Sequence, residues 1–175
     1  MSIREILWHP DPRLKKVCDP IGKVNAEVKK LASDMLATMY AAPGVGLAAP
    51  QVGELRRLFV MDCTPKDSKP EPMVIINPEV LALGQELIEA EEGCLSVPDF
   101  YEDVTRPGSV TISWTGVDGG THTGSFEGLA AKCIQHEIDH LNGKMFLDHL
   151  SALKRSIITK KMKKLKRERA AELLL

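Results

Sequence analysis

The chain has 175 residues, 43% of them hydrophobic and 27% charged, with a net charge of −1. That length suits a single domain with an adequate core, and the balance is that of an ordinary globular protein. No apolar run approaches a membrane span, and the N-terminus has neither a secretory pattern nor an Arg/Ser-rich transit pattern. The cytoplasm is the expected compartment, with a processed organellar form as the alternative. The four cysteines, 18, 63, 94 and 133, are scattered and not clustered as a disulfide framework would be, which suits a reducing compartment.

In chain order, an N-terminal coil crosses three prolines. Asn25 is placed to cap a helix over roughly 26–41, with Val28, Leu31, Ala32, Met35, Leu36 and Met39 on one face. A Gly- and Ala-rich loop follows, Pro43 to Gln51. Residues 57–61 and 73–76 read as strands separated by a polar, proline-containing loop, and 86–91 as a further strand leading to Cys94. Residues 110–114 and 121–126 read as a hairpin turning at Asp118-Gly119-Gly120. A helix over 128–141 carries apolar residues at 129, 130, 133, 134, 138 and 141 and stops at Asn142-Gly143. A C-terminal helix closes the chain. Strands and helices do not alternate regularly, so the expected class is α+β, with antiparallel sheets packed around the 128–141 helix. Residues 1–150 are expected to form a single domain, and 151–175 a basic amphipathic helix belonging to it or appended to it.

The penultimate helix holds Gln135-His136-Glu137-Ile138-Asp139-His140. Four residues advance a helix by about 400°, so His136 and His140 lie about 40° apart on one face. Two neutral imidazoles there can hold one divalent ion, and Glu137, about 100° round from His136, is where a general base for metal-bound water belongs. A bland surface helix is the competing reading, but so apolar a segment would not bury imidazoles and carboxylates idly. A third ligand is needed. Glu168 and Glu172 sit in a solvated basic segment, whereas Cys94, in Glu91-Glu92-Gly93-Cys94-Leu95-Ser96, offers a thiolate suited to a borderline-soft metal. In Gly44-Val45-Gly46-Leu47-Ala48-Ala49-Pro50-Gln51 the small residues permit close approach of backbone, and Gln51 offers an amide donor to an oxyanion.

Together these three segments resemble the peptide deformylase family, whose motifs are complete here and in the family's order; His9 to Leu14 is also similar to that family. The resemblance implies Cys94, His136 and His140 as metal ligands and Glu137 as general base and acid. It also implies that Gln51 and the Leu95 amide stabilise the oxyanion. The implied reaction is removal of the N-formyl group from the initiator methionine of new polypeptides, releasing formate, by attack of metal-bound water. Fe(II) is the expected native ion; Zn(II), Ni(II) and Co(II) are alternatives that the donor set equally suits. Val45, Gly46, Gly93, Tyr101, Leu129 and Cys133 are the expected substrate contacts, with Val45, Leu129 and Cys133 as walls of a methionine pocket. Many family members carry Arg where this chain has Tyr101, which implies a shifted peptide preference. Glu92, Asp139 and Arg106 are expected around the ligands, either as partners of the imidazoles or as a buried ion pair.

Residues 151–175 hold nine Lys/Arg against two Glu, a net charge of +7, leaving −8 for the remainder. Leu153, Ile157, Ile158, Met162 and Leu165 recur at helical spacing, so one face can dock. The basic face is either simply solvated or a contact with ribosomal RNA, as the resemblance implies for some members. No membrane contact and a monomer are expected. His9, His122 and His149 read as surface or packing residues. The competing functions are a general metallopeptidase built on the same helix and an RNA-binding module with a purely structural metal. The complete Cys94 and Gln51 motifs argue against the first. The absence of a fourth protein ligand in the motifs argues against the second.

Overall fold

Asn25 is extended and its side-chain oxygen accepts the Val28 amide, so helix α1 (Ala26–Ala41) starts where the cap places it. The computed structural model describes residues 1–175. In chain order the strands are β1 (Gly46–Ala48), β2 (Leu58–Met61), β3 (Met73–Leu83), β4 (Leu87–Cys94), β5 (Val97–Pro107), β6 (Ser109–Thr115) and β7 (Thr121–Glu127). Helices α2 (Gly128–Leu141) and α3 (Ala152–Glu172) complete the chain, with short 3-10 turns at Pro12–Lys15, Ala49–Val52 and Phe146–His149. One antiparallel sheet runs β1-β2-β3-β6-β7; β4 and β5 form a separate antiparallel pair. The architecture is α+β. None of the helices is long and apolar enough to cross a membrane.

Strand β2 shows how the sequence sets the layers. All four of its residues are buried, and successive side chains point to opposite faces. Leu58 and Val60 join Val28, Leu31, Met35 and Met39 of α1. Phe59 and Met61 join Ala131, Cys133, Ile134, Ile138 and Leu141 of α2. The register Leu58↔Ile76 and Phe59↔Ile75 carries the same division into β3. At β2 the sheet is therefore covered by α1 on one face and α2 on the other, which is why this strand is an uninterrupted apolar run. Each large side chain buried here contributes roughly 1.5–3 kcal/mol. A third cluster joins Leu14, Val97, Val104, Met145, Phe146 and Leu147 to Ile158 and Met162 of α3.

The strand bounds differ from the sequence reading. β3 continues to Leu83 because the chain passes through Asn77, at positive φ, and register shifts on either side of Val80 without leaving the sheet. β4 runs to Cys94 itself. β5 was not legible: Pro98 and Pro107 lie inside it, and a paired edge tolerates prolines that a sequence pattern treats as breaks. β1 has only Gly-Leu-Ala and exists because β2 pairs with it.

Candidate metal centre and active site

Helix α2 is capped by Asn142, and Gly143 follows at φ 76. A side chain at Gly143 would meet the Lys15 carbonyl oxygen at 2.7 Å, so glycine is required for both reasons. The helix thereby brings His136, Glu137 and His140 onto its buried side, the two imidazole centroids 5.0 Å apart. Cys94 arrives from the end of β4, where the β4–β5 pair turns, and its Sγ lies 3.3 Å from His140 Nε2. The ligand atoms of Cys94, His136 and His140 all lie within 4.8 Å of one another.

The surroundings suit a divalent ion. Glu92 is an ionised carboxylate and can only accept, so His136 Nδ1, 3.0 Å from Glu92 Oε1, must carry the proton. That leaves His136 Nε2 free as a ligand, the usual device for orienting a metal-bound imidazole. Glu92 in turn takes two hydrogen bonds from Arg106, at 2.6 and 3.0 Å. Arg106 also reaches Asp139 at 2.9 Å, and Asp139 accepts from His149 at 2.8 Å. Burial opposes the charge on Glu92, but His136 and Arg106 outweigh it and hold the carboxyl down at about 2. One thiol and two imidazoles form the donor set and no fourth protein group joins it, which matches a centre with an open coordination position.

Glu137 is buried, and its Oε2 has no hydrogen-bond partner. Burial pushes its carboxyl up to about 7, against the opposing pull of His136 and Arg106. An unpartnered buried carboxylate oxygen is costly and calls for a use. Gln51 is held by its own oxygen, which accepts the Ala48 amide at 2.9 Å. Its Nε2 therefore points to the centre, 3.5 Å from Cys94 Sγ and 3.1 Å from Ser96 Oγ. The N-terminal coil stitches these loops together: the Leu7 amide donates to Gln51 O and the His9 amide to Ser96 O.

A cavity of about 900 Å3 opens onto the centre. Gln51, Cys94, Leu95, His136 and Glu137 line it, as do Val45, Gly46, Gly93, Tyr101, Leu129 and Cys133. His140 lies beneath, fully buried. The expected ligands, catalytic residues and substrate contacts thus lie in or directly beneath this cavity. Val45, Leu129 and Tyr101 are substantially exposed, whereas Cys133 is buried in the wall. Arg106 makes the buried ion pair with Glu92. Two participants escaped the sequence reading. Ser96 was quoted inside a motif without a role, and His149 had no local signal because its partner, Asp139, lies on α2.

The fold and donor set define the class: an α+β protein with a metal-capable Cys-His-His group beside a buried glutamate. The family model for polypeptide deformylase matches residues 3–156. A peptide deformylase of Bradyrhizobium diazoefficiens is 53% identical over 168 residues, covering 94% of this chain and 97% of the relative. The crystal structure of a peptide deformylase from Legionella pneumophila superposes with a TM-score of 0.89 at 46% identity, covering 97% of this chain and 98% of that one. The deformylase of Ehrlichia chaffeensis in complex with actinonin gives 0.91 at 39% identity, over 95% and 99%. The chain belongs to the polypeptide deformylase family.

Proposed function

We propose that this chain hydrolyses the N-formyl group from the initiator methionine of newly made polypeptides, releasing formate and a free amino terminus. The observation that carries the reading is the buried, unpartnered Glu137 carboxylate beside the Cys94, His136 and His140 donors, in a cavity open to a peptide. These three residues would hold one divalent ion, Fe(II) by preference, with Zn(II), Ni(II) or Co(II) as substitutes. When bound, such an ion supplies Lewis acidity that brings a water toward ionisation at neutral pH. Glu137, with its carboxyl pushed up to about 7, is matched to take a proton near neutrality and return it to the leaving amine. Gln51 Nε2, fixed through its own carbonyl, and the Leu95 amide would donate to the oxyanion.

Val45, Leu129 and Cys133 supply apolar surface for a methionine side chain, with Gly46 and Gly93 as further substrate contacts in the same lining. A side chain at Gly93 would stand 2.5 Å from the Tyr101 ring. Tyr101, beside Gly93 in the cavity lining, is read as the contact for the residues after methionine, where an Arg would present charge. The two sheets packed around α2 are read as the scaffold of this site. Residues 1–150 are read as the catalytic domain, with 151–175 docked upon it. We further place the protein in the cytoplasm as a monomer, with the basic face of α3 meeting ribosomal RNA near emerging chains.

The test is formate release from a formyl-Met-Ala-type peptide by anaerobically prepared protein loaded with Fe(II) or Ni(II), with Glu137→Ala alongside. The expected result is turnover by the wild type and a loss on the order of 10²–10⁴-fold in a variant that still binds metal. A folded, metal-loaded wild type that releases no formate refutes the proposal.

A further inference from the structure

Helix α3 uses only one side for docking. Ile158 and Met162 enter the core, while Arg155, Thr159 and Lys163 recur at four-residue spacing on a neighbouring face, flanked by Ser156 and Lys160. This face is largely exposed, yet it has neighbours. It looks across a gap at Lys15, from the turn after Pro12, and at the turn Phe146–His149. The gap is a cavity of about 460 Å3 that shares no lining residue with the active-site cavity.

Its lining is strongly one-sided in charge. Lys15, Arg155, Lys160 and Lys163 converge from two segments far apart in sequence, against one carboxylate, Asp148. Asp148 does little to neutralise them. One of its oxygens accepts the Met145 amide at 2.9 Å, and the other is a loose 3.9 Å from Arg155. His9 forms part of the wall; it is only 4% exposed, and its Nδ1 has no hydrogen-bond partner. Its Nε2 lies 2.8 Å from Thr159 Oγ1. With the proton on Nε2, His9 donates to Thr159 and leaves the threonine hydroxyl free to donate outward.

We infer that this cavity is a phosphate-binding site, in which Lys15, Arg155, Lys160 and Lys163 neutralise a phosphate group and Ser156 and Thr159 donate to its oxygens. A tetrahedral anion can take this many donors at once, and Arg adds a planar fork that fits its oxygens. The volume exceeds what a bare ion needs and leaves room for the group that the phosphate esterifies. The unmet cations already act on His9. Burial first, then Lys15, bring its imidazole down to about 4, with Lys163 and Lys166 adding to the effect and Asp148 opposing it. An anion bound among these cations reverses part of that field, so His9 reports occupancy. The site stands apart from the reaction proposed above and does not depend on it.

The experiment titrates the metal-loaded full chain with inorganic phosphate, uridine 5′-monophosphate or a short RNA lacking terminal phosphates. His9 is followed by imidazole NMR and binding by calorimetry, with sodium chloride at matched ionic strength as control. The expected result is saturable binding of inorganic phosphate, with the His9 titration displaced upward. Lys160→Gln/Lys163→Gln, substituted at exposed positions away from the centre, is expected to weaken binding at least ten-fold and leave formate release unchanged. Tighter binding of the nucleotide identifies a phosphomonoester as the source, and RNA binding with the same sensitivity to the double variant identifies a phosphodiester. If no phosphate-bearing probe moves His9, if chloride moves it equally, or if the double variant binds as well as the wild type, the assignment is overturned.

Discussion

At Gly46 the space for a side chain is already taken. An added Cβ would stand 2.7 Å from Glu137 Oε1 and 2.7 Å from Cys133 Sγ, both buried. Neither can swing into solvent, so Gly46→Ala must displace the glutamate from its position over the centre. We expect a fall in kcat/KM on the order of 10–100-fold, the scale of a misplacement near 1 Å, with metal content retained. Steady-state kinetics beside metal analysis would show it; unchanged kinetics would mean that Glu137 has no fixed position to lose. Arg106 acts one layer further out. Arg106→Leu leaves the buried Glu92 and the half-buried Asp139 without their shared cation, which costs about 3–5 kcal/mol of stability. It also loosens Glu92, the partner that orients His136, so metal affinity is expected to fall by roughly 10–100-fold. Urea denaturation and chelator competition separate the two effects, and a variant as stable as wild type would remove the ion pair from the account.

Docking of α3 rests on few side chains. Met162 is fully buried and Ile158 nearly so, while Leu153 and Ile157 are largely exposed. Met162→Ala is therefore expected to cost about 2–5 kcal/mol in urea denaturation, whereas Leu153→Ala should stay within about 0.5 kcal/mol. Equal effects would mean that the helix docks by another face. The same contrast explains what could be read from the sequence. α1 was legible from its Asn25 cap and apolar spacing, α2 from its apolar spacing and its Asn142-Gly143 stop, and β6 and β7 because the turn residues at 118–120 mark the hairpin. The centre was legible because its chemistry is written in residue types at fixed spacing. What escaped depends on partners distant in sequence. β1 is too short and small-residued to declare itself, and β5 hides between prolines. His149 gains a role only once the turn carrying it is laid beside Asp139. The neighbourhood of Arg106 was foreseeable, but which carboxylates it meets is settled by β4–β5 register and the approach of α2.

Over the whole molecule, the basic C-terminal helix lies against a remainder of opposite net charge, and the two chain ends meet there. Lys166 donates to the Trp8 carbonyl oxygen, Arg169 lies 4.3 Å from the Trp8 ring centroid, and His9 meets Thr159. This junction makes stability depend on pH through His9. Its imidazole titrates near 6.5 in the unfolded chain and at about 4 when folded. Between these values the unfolded chain holds a proton that the folded one does not. The His9 contribution is thus complete above pH 6.5 and is lost as pH falls toward 4, on the order of 3 kcal/mol in all. Glu137 works in the opposite sense: its raised carboxyl keeps a proton in the folded state between 4.5 and about 7, so acidification through that range favours folding. Glu92, held at about 2, loses its contribution only below 4.5. The wild-type curve alone therefore mixes opposing slopes, and the informative quantity is the difference from His9→Gln. That variant is expected to lose less stability than wild type between pH 7 and pH 5, with urea midpoints measured at both. Parallel losses would show that His9 does not couple the two ends. The buffer must contain no phosphate, because an anion among Lys15, Arg155, Lys160 and Lys163 would raise the folded-state value and flatten the very slope being read.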